Sequence, residues 1–254
     1  MTDDLPLLRA SALSARGFAH GFTTRVGGVS DGPFASLNLG GAVGDDPERV
    51  RENHRRLARS LGYERLHQTH QVHGGAVHIP SPDAAPADTF RVEADALVAA
   101  APGVAVAIRV ADCVPVLLAD PLSGRVAAAH AGWRGVVSGV VGAALDDLDA
   151  RDPGAVIAAI GPSIGPCCFE VGDGVAAEIA AHSAPDVVLP RAGEKPRVDL
   201  WLAVERQLRA RGVRAVTTLG RCTVCEPDAF FSFRRDGARS GRMVGVIVAR
   251  ATIS

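Results

Sequence analysis

The sequence predicts an α/β protein in which mixed β-sheets are packed between helices. Three observations lead there. Strand-like and helix-like segments alternate along the chain; the apolar runs VPVLLAD and RVAAAH are separated only by a short turn; and the helical segments carry one-sided apolar stripes. A short turn forces antiparallel neighbours while intervening helices permit parallel ones, so both kinds of pairing are expected.

Taken in order, GFAHGFTTR alternates as a strand and runs into VGGVSDGPFASLNLGG, whose glycines and Asn38 forbid regular structure. A helix starts after Asp46, which can cap it, with Pro47 in its first turn and Glu48 at the positive end of its dipole. Val50, Leu57 and Leu61 give its apolar stripe. Two short strands are expected over 67–71 and 76–79, joined through His73-Gly74-Gly75. PSPDAAPAD reads as a surface loop, after which strand-like sequence resumes. GVAVAIRV and VPVLLAD are buried strands, Pro121-Leu-Ser-Gly124 is a turn, and RVAAAH is the strand after it. The segment from Gly132 to Gly135 leads into a helix over 136–148. AVIAAIG is a further strand, followed by the irregular GPSIGPCCFEVG, a helix over 174–182 and the loop PRAGEKPR. An amphipathic helix over 200–211 carries Leu200, Val204 and Leu208, and strands close the chain over 216–219, 230–233 and 243–249. Neither loop is long enough to divide the chain, so residues 1–254 are expected to form one domain.

Composition narrows the function. The 254 residues carry 27 Lys+Arg against 28 Asp+Glu, a net charge of -1, so there is no global basic field for nucleic acid or an anionic membrane surface. Lys195 is the only lysine, so anions would meet the planar forks of arginine. With 47% hydrophobic and 22% charged residues, the chain is globular rather than disordered. No apolar run approaches the about twenty residues of a membrane span, and the acidic start MTDDLPLLRA lacks a basic-then-apolar leader. A cytoplasmic protein is expected. Its five cysteines are odd in number and too sparse for a disulfide framework.

Four of the eight histidines fall within LHQTHQVHGGAVH. Alternation on a strand prevents all four from converging. His73 stands apart because glycines follow it and leave its ring open to close approach; His67, His70 and His78 read as strand histidines. Cys113 lies between two apolar strands in RVADCVPVLL, beside an Asp112 that would be costly to bury alone. His130 ends RVAAAH at the mouth of a helix. These three positions leave three readings open: a metal site with two imidazoles and a thiolate, a Cys–His nucleophilic pair, or a buried thiol near unrelated histidines. Cys222-Thr-Val-Cys225 could be half of a structural zinc site or a redox pair, but the adjacent Cys167 and Cys168 should chelate one ion poorly and Glu226-Pro-Asp leads towards a strand rather than a helix, so a packing or turn role is expected for this pair. Two segments suit anions: Arg25, Ser36 and Asn38 in a long loop, and Arg134 between Gly132 and Gly135 at a helix start. FFSFRRDG, with Arg234 and Arg235, reads as a strand end rather than a nucleobase clamp.

In this order, TTRVGGVSDGPFASLNLG, QVHG, VADCVPVLLADP, AAAHAGWRG, IGPSIGPCCFEVG and CTVCEPDAFFSFRRDG with ARSGRM resemble the YfiH-like family. That family is also described as laccase-domain, polyphenol-oxidase-like or purine nucleoside phosphorylase, and the resemblance spans nearly the whole chain. It implies an αββα-type fold and a His–Cys–His metal site on His73 of QVHG, Cys113 of ADC and His130 of AHAGWRG. It also implies a choice of activities: copper-dependent polyphenol oxidation, editing of peptidoglycan precursors by an amidase acting on UDP-MurNAc-peptide, or zinc-linked phosphorolysis of adenosine, inosine, guanosine and methylthioadenosine with some adenosine deamination. Two imidazoles, one thiolate and an open position suit zinc. A multicopper oxidase needs more well-placed histidines than the eight in this chain supply, although Cu2+ could occupy the same ligands in vitro. The expected function is therefore a zinc-dependent purine nucleoside phosphorylase with inorganic phosphate as co-substrate. Its partner is a small-molecule nucleoside, with neither nucleic acid nor membrane involved. The amidase and the oxidase are the alternatives, and a hydrolase using Cys113 as nucleophile is a third. On the favoured reading His73, Cys113 and His130 serve catalysis as metal ligands. Asp112 is the proton-carrying carboxylate, Arg25 and Arg134 hold phosphate, and Asn38 meets ribose or phosphate hydroxyls.

Overall fold

The computed structural model describes residues 5–81 and 83–252. Residues 1–4 of the acidic start and Pro82 of the 80–88 loop lie outside the described residues. The elements run α1 (Ser11–Ser14), β1 (His20–Phe22), α2 (Pro47–Leu61), β2 (Arg65–His67), β3 (Val77–His78), α3 (Pro86–Thr89), β4 (Ala96–Ala99), β5 (Val104–Val110), β6 (Val114–Ala119) and β7 (Val126–Ala131). Then follow α4 (Trp133–Val137), α5 (Val140–Leu148), β8 (Ile157–Ile160), α6 (Asp173–Ala181), β9 (Val188–Leu189), β10 (Arg197–Val198), α7 (Leu200–Ala210), β11 (Ala215–Thr218), α8 (Phe233–Asp236) and β12 (Met243–Val248).

Two larger sheets form, in the orders β1-β12-β5-β2 and β11-β8-β6-β7-β4-β3, beside the small β9–β10 ribbon. Pairing is mixed, as expected: β2 with β5, β3 with β4 and β8 with β11 are parallel, and the remaining pairs are antiparallel. Alternation along each strand shows what covers each face. On β5 and β12, Ala105, Ala107, Val244 and Val246 pack with Leu57 and Leu61 of α2, while Val106, Ile108, Met243 and Ile247 turn to the other side. There they meet Leu97, Leu117, Ala128 and Ala159 of the six-stranded sheet. The far face of that sheet, including Val116, Leu118, Ala127, Ala129 and Ile160, packs with Val141, Ala144 and Leu148 of α5 and Val204 and Leu208 of α7. The layers are therefore helix, sheet, sheet, helix. Among the described residues, no helix is long and apolar enough to cross a membrane.

The helix expected after Asp46 forms over Pro47–Leu61, with the Asp46 carboxylate accepting the Glu48 amide. Several expectations differ from the structure, the start of α3 within the segment expected to be loop among them. The helix expected over 136–148 is two helices, because Gly139 has a φ of 72° and breaks the ladder between α4 and α5. The strand expected over 230–233 does not form: Phe230 and Phe231 are buried without strand pairing, and Ser232 instead caps α8 by accepting the Arg235 amide. The strand expected over 67–71 is shorter and earlier, since the chain leaves the sheet after His67. From there Gln71 pairs with the Arg109 backbone through both ends of its amide.

Candidate active site

The turn between β5 and β6 carries Asp112 and Cys113. Asp112 sits at a φ of 89°, a region that L-residues rarely adopt. Its carboxylate accepts the Thr223 hydroxyl and the Arg234 amide, each at 2.6 Å, and its carbonyl accepts the Ile164 amide at 2.9 Å. This bracing presents Cys113 to the next layer of contacts. His73 also lies at positive φ, 63°. Its loop is held by one fully buried carboxylate, Asp95, which accepts the amides of Val72 at 3.1 Å, His73 at 2.9 Å and Gly74 at 2.7 Å. Asp95 also meets His130 Nδ1 at 2.8 Å.

One carboxylate thus sets both histidines. Burial alone would push the Asp95 carboxyl up; His130 and the amides of Gly74 and Val72 outweigh it and hold the group below the usual carboxylate range. With Nδ1 of His130 engaged, its Nε2 is the nitrogen left for Cys113. The ligand atoms of His73, Cys113 and His130 all lie within 4.8 Å of one another, and the two imidazole rings meet edge to face at 4.9 Å. Burial disfavours the Cys113 thiolate, but the neighbouring imidazoles reverse that and pull the thiol down; Cys113 and Asp95 in turn raise His130 against its own burial.

A cleft of about 460 Å³ opens over these three residues. Trp133, Ile164, Phe169 and Phe233 supply apolar wall, and Arg109, Arg234 and Arg242 supply cations. Arg109 Nη1 is buried without a hydrogen-bond partner. Burial first, and the Arg242 charge second, pull the Arg109 guanidinium down to about 10. Arg242 is itself held down by burial, with Cys113 and Asp112 acting against it, so the cleft wall carries two cations that an anion would favour.

The structure brings His73, Cys113, His130 and Asp112 to this cleft, and leaves Arg25, Asn38 and Arg134 off its wall. Arg25 donates to the carbonyls of Ala35 and Pro227 and lies 4.6 Å over the Phe231 ring. Arg134 is exposed and stacks on Trp133 at 4.5 Å. Asn38 is buried and acts at one remove: its side-chain oxygen accepts the Arg242 amide at 2.8 Å, fixing the start of β12. Asp112 lines the cleft, but both of its oxygens are already engaged. Sequence reasoning missed Asp95, Arg109, Arg242 and the cleft position of Phe233 and Arg234. The arginine preference was a usable signal for the cations; nothing local marks Asp95, an acid just ahead of an alanine-rich strand.

A family model described as multi-copper polyphenol oxidoreductase laccase matches residues 19–250. A protein of Deinococcus radiodurans named purine nucleoside phosphorylase is 44% identical over 251 residues, covering 96% of this chain and 92% of that one. YlmD of Geobacillus stearothermophilus, also named purine nucleoside phosphorylase, is 40% identical over 258 residues, covering 96% and 94%. Its crystal structure matches with a TM-score of 0.87, covering 96% of each chain. The crystal structure of the hypothetical protein YfiH of Bacillus licheniformis matches with a TM-score of 0.89 at 31% identity, again covering 96% of each chain.

Proposed function

The chain belongs to the multi-copper polyphenol oxidoreductase laccase family, and from that membership and the cleft we propose that it is a zinc-dependent purine nucleoside phosphorylase, carried by a single domain. The observation that carries the phosphate half of this reading is the Arg109–Arg242 pair beside Cys113, with an unsatisfied guanidinium nitrogen. The relatives' name supplies the purine half.

His73, Cys113 and His130 would hold the zinc. Imidazole nitrogen and thiolate sulfur are both zinc donors, and three protein ligands leave the fourth position open as in catalytic sites. The fit is local as well: a Cβ on Gly132 would stand 2.9 Å from Cys113 Sγ and 3.4 Å from His73 Cδ2, so only glycine leaves the space in front of the ligands clear. When bound, zinc supplies a Lewis acid that polarises an oxygen or lowers the pKa of a water. The remaining work falls to the chain. Arg109 and Arg242 hold inorganic phosphate in a partly dry wall, where charge-assisted bonds are strong. Trp133, Phe169 and Phe233 give the purine faces to stack on. In phosphorolysis a phosphate oxygen bonds to C1′ of the ribose, the C1′–N9 bond breaks, and its electron pair leaves with the purine, which takes up a proton. Deamination has less support, because the carboxylate of Asp112 is committed to Thr223 and Arg234. Multicopper oxidation has less still: among the described residues, the histidines join one metal-sized cluster only.

The test follows adenosine by chromatography with and without phosphate, using zinc-loaded protein that has met no copper. Adenine and ribose 1-phosphate should appear only with phosphate and be absent in Cys113→Ser. Arg242→Ala should raise KM for phosphate about tenfold or more, as expected for one lost charge-assisted contact, with less effect on adenosine. Inosine formed without phosphate would move the reading to deamination, and no turnover of any purine nucleoside would sink it.

A further inference from the structure

Four of the five cysteines meet at one place, away from the catalytic set. Cys167 and Cys168 lie in the loop between β8 and α6, Cys222 and Cys225 in the loop after β11, and all four Sγ atoms lie within 4.8 Å of one another. Cys225 Sγ is 3.5 Å from that of Cys167 and 3.4 Å from that of Cys168. The adjacent pair was expected to chelate poorly, but a tight turn, in which the Cys168 and Phe169 amides both donate to the Gly165 carbonyl, gathers both thiols on one side.

We propose that Cys167, Cys168, Cys222 and Cys225 form a second, closed four-thiolate site for a zinc ion. Zinc–sulfur bonds of about 2.3 Å place the corners of a tetrahedron about 3.8 Å apart, within a few tenths of an ångström of the two Cys225 spacings here. A disulfide fits worse, since its sulfurs lie about 2.0 Å apart and Cys225 stands almost equally far from two partners, as sharing a central cation would require. Cys222 and Cys225 have the C-x-x-C spacing of zinc loops. The buried Cys222 sulfur accepts the Gly165 amide at 3.3 Å, the outer hydrogen bonding that orients a ligand thiolate. Binding releases four thiol protons to solvent and leaves a site of charge two minus. Guanidinium groups stand ready for that charge: Arg234 donates to the Cys168 carbonyl at 3.3 Å, and Arg235 to the Thr223 carbonyl at 2.9 Å.

The site would act on the catalytic cleft through structure. Thr223, inside the C-x-x-C turn, donates to Asp112, and Ile164, just before the Gly165 turn, donates to the Asp112 carbonyl. A zinc ion here pins together the two loops that brace the strained residue beside Cys113. Its role is architectural, and none of its four ligands lines the cleft.

The experiment uses the full chain carrying Cys113→Ser, in which the first donor set is broken. Reduced, stripped and reloaded with zinc, then desalted, it should keep one zinc per chain by mass spectrometry of the metal. Cys113→Ser with Cys225→Ser, whose added change is at an exposed position, should keep none, while the wild-type chain keeps two. Cobalt in the Cys113→Ser protein should give the strong thiolate-to-metal charge transfer of four sulfurs, and X-ray absorption on the zinc form a sulfur-only shell at about 2.3 Å. Zinc absent from the reduced Cys113→Ser protein, a shell containing nitrogen, or a disulfide from Cys225 that survives anaerobic purification would each overturn the proposal.

Discussion

Cys113 and His130 share one proton equilibrium. Burial opposes the thiolate, yet the His130 charge and its hydrogen bond to the sulfur, with His73 beside them, pull the Cys113 thiol down to about 6. Burial likewise opposes the imidazolium, yet Cys113 and Asp95 raise His130 to about 9. Between those values the metal-free pair is thiolate and imidazolium, and its titration belongs to the two together. In metal-stripped protein, the ultraviolet absorbance of the thiolate should therefore appear with a midpoint near about 6. In His130→Gln the midpoint should rise, because burial is then opposed by His73 alone. A wild-type midpoint at the ordinary thiol value would show that the pair does not form. A metal ion must displace the imidazolium proton before it can take His130 as a ligand, so metal uptake should weaken as pH falls.

Strand β7 shows how an element can be apolar without being bulky. Ala127, Ala128 and Ala129 are all fully buried, Ala128 against the four-stranded sheet and its neighbours against the helical layer. A strand covered on both faces at close range has room for methyl groups only. Ala128→Leu adds hydrophobicity, yet it should lower stability by about 1–3 kcal/mol through overpacking. Leu117→Ala, on the same inter-sheet layer, should cost about 2–5 kcal/mol through the void it leaves; urea denaturation of the metal-loaded protein checks both. Such strands were legible in the sequence as unbroken apolar runs, and α2 was legible from Asp46 and Pro47 at one end and its stripe of Val50, Leu57 and Leu61. What stayed hidden depends on distant partners. Asp95 resembles a surface acid until His73 and His130 close around it. Arg242 is an isolated cation until Asn38 fixes its backbone. The cysteines at 167–168 and 222–225 look like separate turns until two loops are laid side by side.

At the scale of the molecule, function sits where the layers end. Cys113 comes from the turn between the strands that lead into the two sheets, β5 in one and β6 in the other, so the site requires the sheets to be stacked. A topology this rich in distant pairings should fold slowly: refolding from urea, followed by Trp133 and Trp201 fluorescence, should occupy milliseconds to seconds or longer. A dominant microsecond phase that restores native fluorescence would contradict it. The strand order adds a further consequence. β12 lies between β1 and β5, although it comes last in sequence among the described strands. During synthesis, β1 and the open flank of β5 must therefore wait, unpaired, until every other strand has left the ribosome. That interval exposes a ready-made edge to any extended chain nearby, including a sister copy still being translated on the same message. How promptly β12 reaches its slot then decides whether the nascent protein folds alone or becomes entangled with its neighbours.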